Sequence, residues 1–301
     1  MQNPRLLVFG EALTDMIRLD DSHWLTRAGG SCWNVARVAA RLGIATGFAG
    51  SISNECFGEE IAQQSAAAGL DLRFFQRSDK NPFMAVVHQT QPPAYYFLGN
   101  DTADLAFQIE LLPPHWRESL LVVHFGSLGL VREPLASQLV ALVIELKQAG
   151  VQISYDPNWR NLMGPDYRQR FETFLSIADW IKISDEDLAH LMPELPLDLA
   201  LEQVIAWAGD AQILYTQGAQ GLRLYHHGQV DFIAALPVTV VDTVGAGDAS
   251  MGGWLSSLLA FPARSPQEHA QFAAATAATV CQYPGAYAPQ LAEVNSTLAR
   301  Y

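Results

Sequence analysis

Cysteine is scarce and scattered. Cys32, Cys56 and Cys281 are the only three in 301 residues, with neither CxxC nor zinc-ligand spacing, which argues against a disulfide framework and a structural zinc site. Bases are also few: 18 Lys and Arg stand against 31 Asp and Glu, a net charge of −13. Such a chain lacks the basic footprint that neutralises nucleic-acid phosphates. Lysine occurs only at Lys80, Lys147 and Lys182, so a bound anion would rely on backbone amides, arginines and a metal. No apolar run reaches the roughly 18 residues of a membrane span, and the N-terminal stretch lacks the charged and apolar regions of a signal peptide. These absences predict a soluble cytoplasmic protein that binds neither nucleic acid nor membrane. The eight histidines show no metal-binding spacing.

Half of the residues are hydrophobic, enough for a large core. Residues 6–9 form an apolar run that stops at Gly10, as a strand buried on both faces does. Strand signals at 46–52, 120–125, 151–155, 180–183 and 212–216 alternate with helical ones at 31–42, 57–68, 133–149, 166–177, 186–191 and 199–207. A hairpin at 222–226 and 230–233 follows, then helices at 246–259, 266–282 and about 290–298. This alternation predicts an α/β fold, a mostly parallel central sheet with helices on both faces. Between about 72 and 105 the rhythm changes to short β-type runs, 83–88 and 94–98, divided by Gln91-Pro92-Pro93. We read one domain over 1–301 with a small β lid contributed by 72–105.

In such sheets ligands bind at the carboxyl ends of strands. Asp15, Asn34, Asn158, Arg160 and Asp248 all fall at strand ends or helix starts, and are expected to line one crevice. The richest stretch runs from Asp242-Thr243-Val244 through Gly245-Ala246-Gly247 to Asp248. Its turn leaves the N–H groups of Ala246, Gly247 and Asp248 free at a helix start, which favours an anion, most naturally a phosphate. Asp248 then lies where a carboxylate would accept a proton beside that anion. A capping Asp with two turn glycines is the plainer alternative.

Other segments carry the same double reading. Asp156-Pro157-Asn158-Trp159-Arg160 is either a βα turn or an amide and a guanidinium placed for hydroxyl or phosphate recognition. Gly29-Gly30 before Asn34 is a turn, or a place where a sugar approaches backbone. Ser184 to Asp187 is a capped helix start, or a carboxylate that holds Mg²⁺ through water. Thr216, Gly218 and Gly221 make a β-turn, or touch nucleotide phosphates.

Taken in order along the whole chain, these segments resemble the ribokinase (PfkB) family of carbohydrate kinases. The resemblance implies ATP-dependent phosphorylation of a sugar hydroxyl. Asp248 would take the hydroxyl proton, and the amides of Gly245, Ala246, Gly247 and Asp248 would hold the transferring phosphoryl group. Asp15, Gly29, Gly30, Asn34 and Asn158 would hold the sugar, with Arg160 between sugar and phosphate. Ser184, Thr216, Gly218, Gly221, Gly245 and Gly247 would line the nucleotide. ATP would come with Mg²⁺, supported by Asp187 through water, and K⁺ would lie by Asp242 and Val244. The lid would also form a homodimer contact. Gly10-Glu11, Asp156 to Arg160 and Thr102-Ala103-Asp104 look most like bacterial fructokinases, with a 2-keto-3-deoxygluconate kinase or another sugar or nucleoside kinase of the family as the alternative.

Three departures stand out. Many family members carry Asn and Glu where this chain has Ser184 and Asp187. Fructokinases usually have an Arg in the stretch that here reads Leu98-Gly99-Asn100-Asp101, and the Asn common near the adenine is here Ala274. A non-catalytic binding protein on the same fold would have no need of Asp248. A dinucleotide oxidoreductase would need GxGxxG after the first strand, where Gly10-Glu11-Ala12 stands.

Overall fold

Short apolar runs become the middle strands of a large sheet because both of their faces are covered. The computed structural model describes residues 3–90 and 93–300. In chain order the elements are β1 (Leu6–Phe9), β2 (Leu13–Arg18), β3 (Trp24–Gly29), α1 (Ser31–Arg41), β4 (Thr46–Ser53), α2 (Cys56–Ala68), β5 (Phe75–Ser78), β6 (Met84–Thr90) and β7 (Pro93–Leu98). Then come β8 (Val122–Gly126), α3 (Leu135–Gln148), β9 (Gln152–Asp156), α4 (Tyr167–Ile177), β10 (Trp180–Ser184), α5 (Asp185–Leu191) and α6 (Leu197–Ala208). The chain continues with β11 (Gln212–Thr216), β12 (Leu222–His226), β13 (Gln229–Ile233), α7 (Ala246–Ala260), α8 (Pro266–Val280) and α9 (Leu291–Leu298).

The large sheet has nine strands in the order β13-β12-β11-β10-β9-β8-β1-β4-β5. Its pairings are parallel except for the β11–β12 and β12–β13 hairpins at one edge. Side chains alternate across it. Leu7 and Phe9 of β1 enter one core layer, where Phe125, Tyr155 and Phe174 stack under α3 and α4. Leu6 and Val8 enter the opposite layer with Trp33 of α1 and Met251 and Trp254 of α7. The strand period of two is thus what sorts one apolar run between two cores. It has a further effect in β10: Ile181 and Ile183 belong to the first layer, so Lys182 points toward the second, the side of α7.

A second sheet of four strands, in the order β3-β2-β6-β7, stands apart from the first. Two of its strands come from 13–29, outside the 72–105 stretch to which the sequence assigned it. Within that stretch, β5 pairs with β4 and extends the large sheet instead. The reason β2 and β3 escape notice is that they carry Asp15 and Arg27 on one face and Arg18 and Trp24 on the other, so neither face reads as continuously apolar. Gln91 and Pro92 of the predicted break lie outside the described residues.

Candidate active site

β1, β8, β9, β10 and β11 run parallel, so their carboxyl ends share one edge of the large sheet, where α1 and α7 also start. Gly245 caps α7 in a left-handed conformation, φ 80°, and a Cβ on it would lie 2.8 Å from the Cα of Ala286. A side chain is therefore excluded both by backbone and by space. Val244 and Gly285 donate their N–H groups to the two oxygens of Asp242, at 3.1 and 2.8 Å. That carboxylate ties the anion-hole turn to the 281–285 loop.

The N–H of Ala246 is not free, in contrast to the sequence reading. It donates to the carbonyl of Thr243 at 3.1 Å, closing the turn on itself. Among the described residues no acceptor partners the N–H groups of Gly247 and Asp248, which point out of the helix start. These two amides and the positive end of α7 are what an anion would meet.

Asp248 is buried and has three neutral donors. Ser31 Oγ donates to its Oδ1 at 2.6 Å, Asn34 Nδ2 to Oδ2 at 2.9 Å, and Asn158 Nδ2 to Oδ1 at 3.4 Å. Burial pushes its pKa above the ordinary aspartate value; the bonds from Ser31 and Asn34 and the charges of Lys182 and Arg160 oppose that rise. A carboxylate whose pKa is raised is a stronger proton acceptor than an ordinary one.

Asp15, Asn34, Asn158 and Arg160 converge on Asp248 as expected. Asp15 on β2 is half-buried, and desolvation pushes it up to about 6, with Arg160 pulling it down and Asp248 pushing it up. Gly29 lies against it, since a Cβ there would overlap an Asp15 oxygen. Gly30, φ 114°, starts α1, and a Cβ would stand 2.6 Å from the carbonyl oxygen of Glu11. Asn158 takes a left-handed φ of 39°. Its side-chain oxygen accepts from Arg160 Nη1 at 2.7 Å, which also donates to the carbonyl of Trp159 at 2.7 Å. Arg160 is thereby folded back onto its own loop.

Ser184 and Thr216 are register partners at the ends of β10 and β11, with Gly218 and Gly221 just beyond. Both glycines have positive φ, 51° and 96°, so each also has a backbone role. Asp187 takes part in a helix cap. Its oxygens receive the N–H groups of Trp159 at 2.7 Å and Ser184 at 3.1 Å, while Ser184 Oγ accepts from the N–H of Asp187 at 2.9 Å. This is a reciprocal capping box, and the carboxylate lies 3.8 Å from Lys182 Nζ. The donor set fits a helix cap. Among the described residues no group of three acidic, His or Cys side chains could hold a metal ion.

Sequence reasoning missed Ser31 and Lys182. Lys182 is buried, with Nζ 3.0 Å from Asp156 Oδ2 and 3.2 Å from where a Cβ on Gly247 would be. Burial depresses its pKa, but Asp156 and Asp187 outweigh that and hold it above the ordinary lysine value. Burial pushes Asp156 up to about 7, with Lys182 opposing. The available signal was a lysine inside a run of buried strand residues, which must find a carboxylate.

A backbone anion site, a buried carboxylate beside it and a facing polar crevice are the parts of an enzyme that transfers phosphoryl groups to hydroxyls. The pattern of the pfkB family carbohydrate kinases matches residues 3–293. A fructokinase of Klebsiella pneumoniae is 32% identical over 264 residues, covering 86% of this chain and 85% of that protein. The crystal structure of a Xylella fastidiosa fructokinase with bound ATP superposes with a TM-score of 0.89 at 27% identity, covering 98% of each chain. A Vibrio cholerae fructokinase with fructose, ADP and calcium ion bound gives 0.84 at 26% identity, over 98% of this chain and 99% of that one. The chain belongs to the pfkB family of carbohydrate kinases, and it is a sugar kinase.

Proposed function

We propose that the enzyme transfers the γ-phosphoryl group of ATP to D-fructose, giving fructose 6-phosphate and ADP, with Asp248 as the base. The observation that carries this reading is the buried Asp248 carboxylate next to the unpartnered N–H groups of Gly247 and Asp248. A fructose hydroxyl held over Asp248 would attack the γ-phosphorus as the bond to the β-γ bridging oxygen breaks. The hydroxyl proton passes to an Asp248 oxygen, and ADP leaves with the bonding electrons. Gly245, Gly247 and the start of α7 would receive the charge of the transferring group, so that positioning and electrostatics supply most of the rate. ATP would enter as its Mg²⁺ complex, in which the metal offsets phosphate charge, and lie along Ser184, Thr216, Gly218 and Gly221.

The likeness to fructokinases supports fructose as the sugar. Asp15, half-buried and repelled by Asp248, disfavours an anionic acceptor, which makes 2-keto-3-deoxygluconate the weaker reading. The test is ADP formation across ketoses, aldoses, ketodeoxy acids and nucleosides. A carboxylated sugar as the best substrate overturns fructose; no turnover with any of them overturns the catalytic reading. We also propose that K⁺ is held by Asp242 and the carbonyl of Val244. Equal rates in K⁺ and in tetramethylammonium would dismiss that site. Tyr96, Leu98 and Trp24 are exposed on the face of the small sheet turned away from Asp15, which supports a homodimer through the lid. Sedimentation as a monomer would remove it. The expected location is the cytoplasm, where ATP is supplied.

A further inference from the structure

Arg37 lies beside the reaction centre with no counter-charge. Arg37 of α1 lies with its guanidinium carbon 4.3 Å over the ring of buried Trp33. Its Nη1 donates to the carbonyl of Ala286 at 3.2 Å and to Asn34 Oδ1 at 3.5 Å. Its Nε is buried without a partner, and no described carboxylate is within ion-pair distance. Burial, with Arg41 adding repulsion, lowers it to about 10. A cation retained at such cost is held for what it touches.

Its two acceptors lead to the two halves of the reaction centre. Asn34 has one donor end and one acceptor end. Because Arg37 occupies the oxygen, the amide presents Nδ2 to Asp248; the flipped amide would set its oxygen against both the carboxylate and lose the Arg37 bond. Ala286 is the residue against which side-chain-free Gly245 packs.

We propose that Arg37 is a positioning residue for phosphoryl transfer: it fixes the orientation of Asn34 on Asp248 and seats Ala286 against the Gly245 turn. The inference rests on the proposed role of Asp248. The other charged or titratable groups that act on Asp248 or are acted on by it are Lys182 from β10, Arg160 and Asp156 from β9 and its loop, Asp15 from β2 and Cys32 from α1. None of them is altered in the variants below.

The test compares Arg37→Met, Arg37→Lys and Arg41→Met in the full chain, with fructose and Mg·ATP between pH 5 and 9. Arg41 bonds the neighbouring carbonyl of Ala288 and does not reach Asn34, so it is the control for loop anchoring. Arg37→Met is expected to lower kcat on the order of 10- to 100-fold, with a smaller change in sugar KM. Its acid limb in kcat/KM moves to higher pH, because Asp248 loses a well-directed hydrogen bond. Arg37→Lys restores part of kcat and keeps the limb near that of wild type, and it carries the comparison if the Met variant melts below the assay temperature. Arg41→Met leaves the limb in place. An unmoved limb in both Arg37 variants with kcat intact, or the same loss in Arg41→Met, overturns the inference. A wild-type protein that phosphorylates no sugar overturns the role of Asp248, and this inference with it.

Discussion

The ammonium of Lys182 stands 3.2 Å from the point where a side chain on Gly247 would begin. One residue of β10 thus places a fixed positive charge directly behind the helix start that faces the ligand crevice. The same ammonium is shared by Asp156 and Asp187, so three buried ionisable groups depend on one another.

Removing that charge tests the dependence. Lys182→Met leaves Asp156 and Asp187 without their cation, and the expected loss of stability is about 3–5 kcal/mol. Adding Asp156→Asn should return part of it. Urea denaturation of the single and double variants reads this directly. A double variant no more stable than Lys182→Met would show that the pair is not coupled.

Asp248→Asn removes the proposed proton acceptor with nearly the same shape. The expected fall in kcat is about 10²- to 10⁴-fold. Calorimetry should find fructose and ATP affinities changed far less. An equal loss of binding and turnover would mean that the carboxylate only holds substrate.

Glu11 gives a pH effect of defined sign. Burial raises its pKa from 4.5 to about 7, against the lowering influence of its own N–H and that of Gly129 and of Arg160. Between those values the folded protein retains a proton that the unfolded chain releases, so the contribution of Glu11 to stability falls as pH rises through that window. Glu11→Gln can still accept from the Gly129 N–H and should flatten the slope. Thermal melts from pH 4 to 8 that run parallel for the two proteins would contradict this.

Gly30 and Gly43 both have positive φ, 114° and 93°, but only Gly30 has backbone within 3 Å of a would-be Cβ; Gly43 has nothing within 4 Å. Gly43→Ala therefore carries only conformational strain. Gly30→Ala adds a collision with the Glu11 carbonyl, for a total cost at or above the roughly 1–3 kcal/mol of a strained residue. It should also raise the sugar KM, because α1 and Asn34 must shift. Differential scanning calorimetry and sugar titrations check both.

The large sheet was legible because its strands are unbroken apolar runs between helical stripes. The crevice was legible because strand ends collect the polar residues. The lid was half legible: β6 and β7 show as β-type runs, whereas β2 and β3 mix Asp15, Arg18 and Arg27 with apolar residues. Lys182 was hidden by its surroundings, since only the pairing of β9 with β10 brings it to Asp156. Ser31 was hidden by distance, because its partner Asp248 lies at the other end of the chain. Ala246 was misjudged for a local reason: a turn that exposes N–H groups can also consume one in its own closure.

The small sheet has two separate roots. β2 and β3 leave between β1 and α1, and β6 and β7 leave between β5 and β8, while the strands at both roots keep their places in the large sheet. A lineage can therefore lengthen, shorten or redraw this appendage without disturbing the strands that carry Asp156, Lys182 and Thr216. Of the residues proposed to hold the sugar, Asp15 and Gly29 stand on this appendage, whereas Asn34 and Asn158 stand beside the large sheet.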